Sequence, residues 1–234
     1  MVYNYKISTI IKKTLLATAL LITSILCVGK CFGADWDKIA IARLKYSGGG
    51  DWYVSPTTIP NLLKQADKRF KMPTQPEHIA VSVNDPELFR YPMIYASGHG
   101  QIRFKDNEMM AILTYLDNGG FLLINDSYGM EKYVRREVKR LYPDREFVQL
   151  PKDHPIFHTV YDFKDGLPKI HEHDGKPPAA YAIFDKGRMK ILYLLESDIG
   201  DGMEDAGIHK VDTPEIRELA MKMGLNILVY AMMQ

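Results

Sequence analysis

Asp106-Asn107-Glu108-Met109-Met110-Ala111-Ile112-Leu113-Thr114-Tyr115-Leu116-Asp117-Asn118-Gly119-Gly120-Phe121-Leu122-Leu123-Ile124-Asn125-Asp126-Ser127-Tyr128-Gly129 reads as helix, stop, strand and polar loop in immediate succession. Met109, Ile112, Leu113 and Leu116 fall at i, i+3, i+4 and i+7, which predicts one apolar helix face, and Asn118-Gly119-Gly120 supplies the stop. The uninterrupted apolar run 121–124 predicts a strand covered on both faces, as in a parallel sheet. It breaks into Asn125-Asp126-Ser127-Tyr128-Gly129. Two other apolar runs break in the same way, into Tyr46-Ser47-Gly48-Gly49-Gly50-Asp51-Trp52 and Ser97-Gly98-His99-Gly100. Ligands of open α/β sheets bind beyond the carboxyl ends of the strands, so these loops mark a candidate site.

Working outward, residues 39–46 alternate as a strand, and Ser55-Pro56-Thr57 opens a helix through Phe70 with Ile59, Leu62, Leu63 and Phe70 as its apolar positions. Strands follow at 78–83 and 92–96, with a short turn at 86–89 between them. A basic-faced helix is predicted over 128–141 and another strand over 147–150. Strand and helix in alternation argue for a mostly parallel sheet with helices on both sides. The tail differs. Residues 179–184 and 189–195, joined by Asp185-Lys186-Gly187-Arg188, predict a β-hairpin. Thr213-Pro214 then caps a closing helix with Ile216, Leu219, Met223 and Ile227 on one face.

The amino terminus is set apart. Lys6, Lys12 and Lys13 precede an uncharged stretch over 14–29, and the small-residue exit ends at Gly33-Ala34, the order of a secretory signal peptide. A helix over that stretch would span about 24 Å, short of the roughly 30 Å of a bilayer core, so cleavage is expected over anchoring. The expected organisation is a signal peptide over 1–33 and a single domain over 34–234, exported to the periplasm or beyond. Membrane contact would come only through an uncleaved leader. Both cysteines, Cys27 and Cys31, lie in the leader, which excludes disulfides and thiolate chemistry from the rest. Thirty basic against 29 acidic residues create no global field, so nucleic acid is not an expected partner.

Ala42-Arg43-Leu44-Lys45-Tyr46-Ser47-Gly48-Gly49-Gly50-Asp51-Trp52-Tyr53, Ser97-Gly98-His99-Gly100, Asp117-Asn118-Gly119-Gly120-Phe121, Asp153-His154-Pro155-Ile156-Phe157 and Lys169-Ile170-His171-Glu172-His173-Asp174-Gly175 together resemble an uncharacterised bacterial family, domain of unknown function 4159. The resemblance covers the chain beyond the leader. It implies a three-layer, flavodoxin-like α/β domain similar to class I glutamine amidotransferases, in a family without an established reaction. Some relatives resemble soluble exported domains and others the distal parts of membrane-anchored proteins. Those amidotransferases carry a cysteine nucleophile after a central strand. The corresponding stretch here, 125–129, has none, so cysteine-dependent glutamine hydrolysis is excluded. Ser127 lacks the flanking glycines of a nucleophile elbow and is expected to cap a helix instead. Asp126 is expected to present its carboxylate to a ligand.

The candidate ligand-binding residues are Gly49, Gly50, Asp51, Trp52, Ser97, His99, Arg103, Asp126, Tyr128, His171, Glu172, His173 and Asp198. Gly48-Gly49-Gly50 suits an anion cradle with Arg103 as its charged partner, though no Walker lysine accompanies it. Trp52 and Tyr53 offer a stacking wall. In extended backbone His171 and His173 share one side while Glu172 faces away. A third ligand from His99, Asp126 or His154 would complete a divalent-metal site; otherwise the rings and carboxylates pin an irregular loop. The clustered oxygens of the acidic stretch 197–205 could hold calcium or magnesium, but the stretch departs from the EF-hand pattern and is expected to be a solvated turn. Two functions are expected from these residues. One is a non-catalytic binding module for an envelope ligand or protein partner, without a cofactor. The alternative is a metal-dependent hydrolase of envelope carbohydrate or peptide.

Overall fold

The run 121–124 extends into a longer strand than its apolar residues announce. In the computed structural model, which describes residues 37–234, it forms β4 (Phe121–Tyr128), buried through Ser127. The leader and both cysteines lie outside the described residues. The other strands are β1 (Ile41–Lys45), β2 (Ile79–Ser82), β3 (Met93–His99), β5 (Val148–Gln149), β6 (Ala179–Asp185) and β7 (Arg188–Leu195). They form a seven-stranded sheet in the order β2-β1-β3-β4-β7-β6-β5. The run from β2 to β7 in that order is parallel, and β6 and β5 are antiparallel additions.

One expectation needs correction. The segment over 147–150 is not the next parallel strand: β5 has two residues, both exposed, and pairs antiparallel at the edge. The strand beside β4 is β7, whose residues Met189 to Leu194 are all buried, as a strand covered on both faces must be. The expected hairpin is present and forms part of the main sheet. Its two-residue turn, Lys186-Gly187, has positive φ at both positions, as a tight hairpin turn requires, and returns the chain in the direction of β4.

Alternate residues of the strands feed two cores. Ile41, Tyr95, Leu123 and Leu192 face α1 (Thr58–Phe70), the helical turn α4 (Ile199–Gly202) and α5 (Pro214–Met232). Leu44, Ile94, Leu122 and Ile191 face α2 (Asp106–Asp117) and α3 (Glu131–Leu141). The result is a three-layer α/β arrangement. In α5 the anticipated face is shifted, because Leu219 is exposed while Ala220, Met223, Gly224, Ile227 and Leu228 are buried. Small residues select this face. A Cβ on Gly202 would stand 2.6 Å from Ala220 Cβ, so α4 and α5 meet where neither has bulk. This seating of α4 sets the far wall of the site.

Candidate functional site

Past the end of β7 the chain takes two left-handed residues, Glu196 (φ 57°) and Asp198 (φ 58°). Such conformations are uncommon outside glycine and persist where the surroundings hold them. Here Asn125, fully buried on β4, donates from Nδ2 to Asp198 Oδ1 at 3.0 Å and accepts the Gly200 amide at 3.2 Å. The turn that follows carries Asp201 and Glu204 inward. The irregular segment carrying His171 is brought alongside by Ile170 N–H, which donates to Ser197 O at 2.9 Å. Thus 197–205 is no solvated turn: Ser197, Asp198, Asp201 and Glu204 are buried.

Six side chains converge around one point. His171 Nδ1 lies 3.3 Å from Asp198 Oδ2 and 4.0 Å from Asp201 Oδ2. His209 Nε2 lies 3.5 Å from Asp201 Oδ2 and 3.0 Å from Glu204 Oε2, and His173 Nε2 lies 3.6 Å from Asp198 Oδ2. Three of these groups are tied from their other side. Asp201 Oδ1 accepts Ser55 Oγ–H at 2.5 Å, Asp198 Oδ1 accepts from Asn125, and His171 Nε2 faces Asp212 Oδ1 at 2.7 Å. Asp212 Oδ2 is buried with no hydrogen-bond partner among the described residues. The centre opens into a cavity of about 880 Å³ whose walls include His99, Ser127, Tyr128, Ile208, Val211 and Ile216.

The electrostatics follow from this convergence. The hydrogen bond to Asp198 pushes the His171 imidazole up to about 9, with Asp212 adding to it against the effect of burial. Asp198 likewise raises His173. Burial, and then the charge of Asp198, raises Asp201. Burial acts in the same sense on Asp198 but is outweighed by His171, His173 and Asn125, so that carboxyl is held low. Two adjacent carboxylates pushed apart in this way can take opposite protonation states, the arrangement that acid–base sites use.

The same atoms suit a divalent ion. One ligand atom each from His171, Asp201 and His209 lies within 4.8 Å of the others. Ligands about 2.1 Å from a tetrahedral ion stand about 3.4 Å apart, near the His209–Asp201 spacing of 3.5 Å. Metal-binding histidines characteristically present their second ring nitrogen to a carboxylate, the relation of His171 to Asp212.

Not every anticipated residue reaches this centre. His171, His173 and Asp198 form it, Glu172 points to solvent, and Tyr128 stands edge-on to His173 with ring centroids 5.4 Å apart. His99 lines the cavity, yet its Nδ1 faces Asp51 Oδ2 at 2.9 Å. Asp126 has both oxygens engaged, accepting Tyr193 O–H at 2.6 Å and the Met130 amide at 3.0 Å. It is Asp126, not Ser127, that supports the start of α3; Ser127 Oγ lies 3.0 Å from Ser97 Oγ. Part of the glycine loop is occupied by backbone pairing, while Gly49 is open and Gly48 and Arg103 line a separate pocket. Ser47 and Arg103 pair through their backbones, Gly50 N–H donates to Gln101 O at 3.0 Å, and a Cβ on Gly48 or Gly50 would stand 2.8 Å from that carbonyl. These glycines let two backbones touch. Trp52 is half-buried against the core with Lys45 over its ring, while Tyr53 is exposed. His154 caps the short helical turn Pro155–Phe157, far from the third-ligand role.

Ser55, His209 and Asp212 were not anticipated, and Asp201 and Glu204 enter the sequence reading only as members of the acidic stretch 197–205. The spacing Asp198, Asp201, Glu204 is a legible signal, because acids three apart share a helical face. His209 stands in an aperiodic turn and has no such signal.

Residues 40–232 match the family model described as Domain of unknown function (DUF4159). No curated protein matches the chain.

Proposed function

We propose, from the premise that this chain belongs to the family of domains of unknown function DUF4159, that it is a divalent-metal-dependent hydrolase. The observation that carries the reading is the convergence of His171 Nδ1, Asp201 Oδ2 and His209 Nε2 beside an open cavity. When bound, the ion supplies Lewis acidity and a water acidic enough to attack near neutral pH. The chain supplies the rest. His173, on the cavity wall beside Asp198, takes the proton of the attacking water and returns it to the leaving group. Asn125 and Ser55 hold the two carboxylates so that one oxygen of each faces the imidazoles. Glu172 and Asp174 are paired with Lys169 and Lys176, and Glu204 and Asp212 with His209 and His171, so these carboxylates leave little uncompensated charge for a charged substrate to meet. An uncharged amide, ester or glycoside of envelope carbohydrate or peptide is the fitting class.

The proposal extends to place and ancestry. The signal-like sequence over 1–33 supports export to the cell envelope. The order β2-β1-β3-β4-β7, with the site past the strand ends, supports likeness to flavodoxin-like and amidotransferase-like domains. A second reading, a non-catalytic module for an envelope ligand or protein, is favoured by the absence of a cysteine from 125–129.

Purified protein loaded separately with Zn²⁺, Mn²⁺ or Fe²⁺ and presented with N-acyl sugars, peptide amides and esters tests the proposal. Hydrolysis lost on chelation and in His173→Ala supports it. Saturable binding of these compounds without turnover, unchanged by chelation, would favour the binding module.

A further inference from the structure

Arg43 is a charge in an unexpected place. It sits in the middle of β1, between apolar neighbours, and is fully buried. A buried guanidinium is tolerated only with partners, and its partners here are specific. Nη1 donates to Trp52 O at 3.1 Å and Nη2 to Ser55 O at 2.6 Å, while the guanidinium lies 5.3 Å from the centre of the Tyr95 ring. Nε has no partner. Both acceptors belong to the loop that returns from the glycine stretch toward α1. Ser55, the second of them, has a φ of 53° without being glycine. From that held backbone its Oγ–H donates to Asp201 Oδ1 at 2.5 Å, leaving Asp201 Oδ2 toward His171 and His209.

We propose that Arg43 is a positioning residue for the metal centre, acting through the Ser55 backbone and the Ser55 hydroxyl to fix the orientation of the Asp201 carboxylate. The inference rests on the hydrolase reading and concerns the ion site that it requires. Arg43 touches neither the ion position nor the cavity. Its role is to hold Ser55 in a conformation that a serine rarely adopts unaided. A lysine would not replace it, because a single ammonium lacks the planar fork that reaches two carbonyls at once.

Co²⁺ titration of the metal-free full chain, read by visible absorption, tests this, since band position and intensity report the ligand geometry around the ion. Ser55→Ala, Arg43→Met and the double variant are compared with the parent, and near-ultraviolet circular dichroism checks that each is folded. Loss of a partner that orients a ligand weakens metal binding about 10- to 100-fold, and we expect that loss with an altered spectrum in each single variant. The double variant should bind no more weakly than Arg43→Met alone, because both changes cut one chain of contacts. Should Arg43→Met not fold, Ser55→Ala decides. Parental affinity and spectrum in Ser55→Ala, or additive losses in the double variant, would overturn the assignment while leaving the metal centre standing. A parent that gives no Co²⁺ spectrum would overturn the metal centre itself and the assignment with it.

Discussion

Asp212 holds His171 from behind: Oδ1 lies 2.7 Å from Nε2 of the ring, and the Asp212 side chain is only 1% exposed. The contact fixes which nitrogen faces the cavity. With Nε2 engaged, Nδ1 is directed toward Asp198 and Asp201, the geometry of a ligand rather than of a surface histidine.

Asp212→Asn keeps an acceptor near His171 but removes its charge. We expect divalent-ion affinity to fall about 10- to 100-fold, less than in His171→Ala, as measured by calorimetric Zn²⁺ titration. An effect equal to that of His171→Ala would make Asp212 a ligand in its own right.

Glu172 lies between the two inward histidines, and its side chain is 69% exposed, paired with Lys169. Exposed pairs contribute little. Glu172→Ala should shift unfolding stability by no more than about 0.5 kcal/mol and leave ion affinity unchanged. A tenfold loss of affinity would show that the alternation of inward and outward side chains is misread.

Burial beside Phe157, Phe184 and Tyr230 lowers the His154 imidazole, with Asp153 opposing. Its Nδ1 also accepts the Ile156 amide at 3.3 Å, a role that needs the neutral ring. The unfolded chain, with an ordinary value of about 6.5, therefore takes up this proton first as pH falls. The stability is present above about 6.5 and is lost as pH falls toward the lowered folded value. Denaturant midpoints at pH 7.5 and 5.5 should differ more for the parent than for His154→Asn, which keeps the cap without the titration. Equal differences would contradict this account.

Gly200 lies against two residues of the site floor. A Cβ there would fall far inside contact with Tyr95 Oη and stand 2.9 Å from Asn125 Nδ2. Gly200→Ala should cost about 1–3 kcal/mol of stability by overpacking, read from chemical denaturation. Displacing Asn125 also frees Asp198, so ion affinity should fall in the same variant. Unchanged stability would mean that α4 shifts freely and does not fix Asp198.

Much of this was legible where the signal is local. The helix, stop and strand over 106–124 carry their own periodicity, and the alternation of His171, Glu172 and His173 places two rings on one side. What failed was long-range. Nothing within the hairpin sequence says that β7 pairs with β4, and nothing within 147–150 says that β5 is a short exposed strand at the antiparallel edge. Gly48 and Gly50 signal close approach, but the approaching group is the Gln101 carbonyl rather than an anion. The acids over 198–204 look solvated in sequence because their partners, Ser55, Asn125 and His171, come from other parts of the chain.

The central claim is that His171, Asp201 and His209 hold a divalent ion. Elemental analysis of the purified protein, prepared without a metal-binding tag and compared with His171→Ala and His209→Ala, tests it most directly. The account predicts near-stoichiometric zinc, manganese or iron in the parent and its loss in both variants. A folded parent that neither carries nor takes up any of these ions, or variants that retain them, would contradict it.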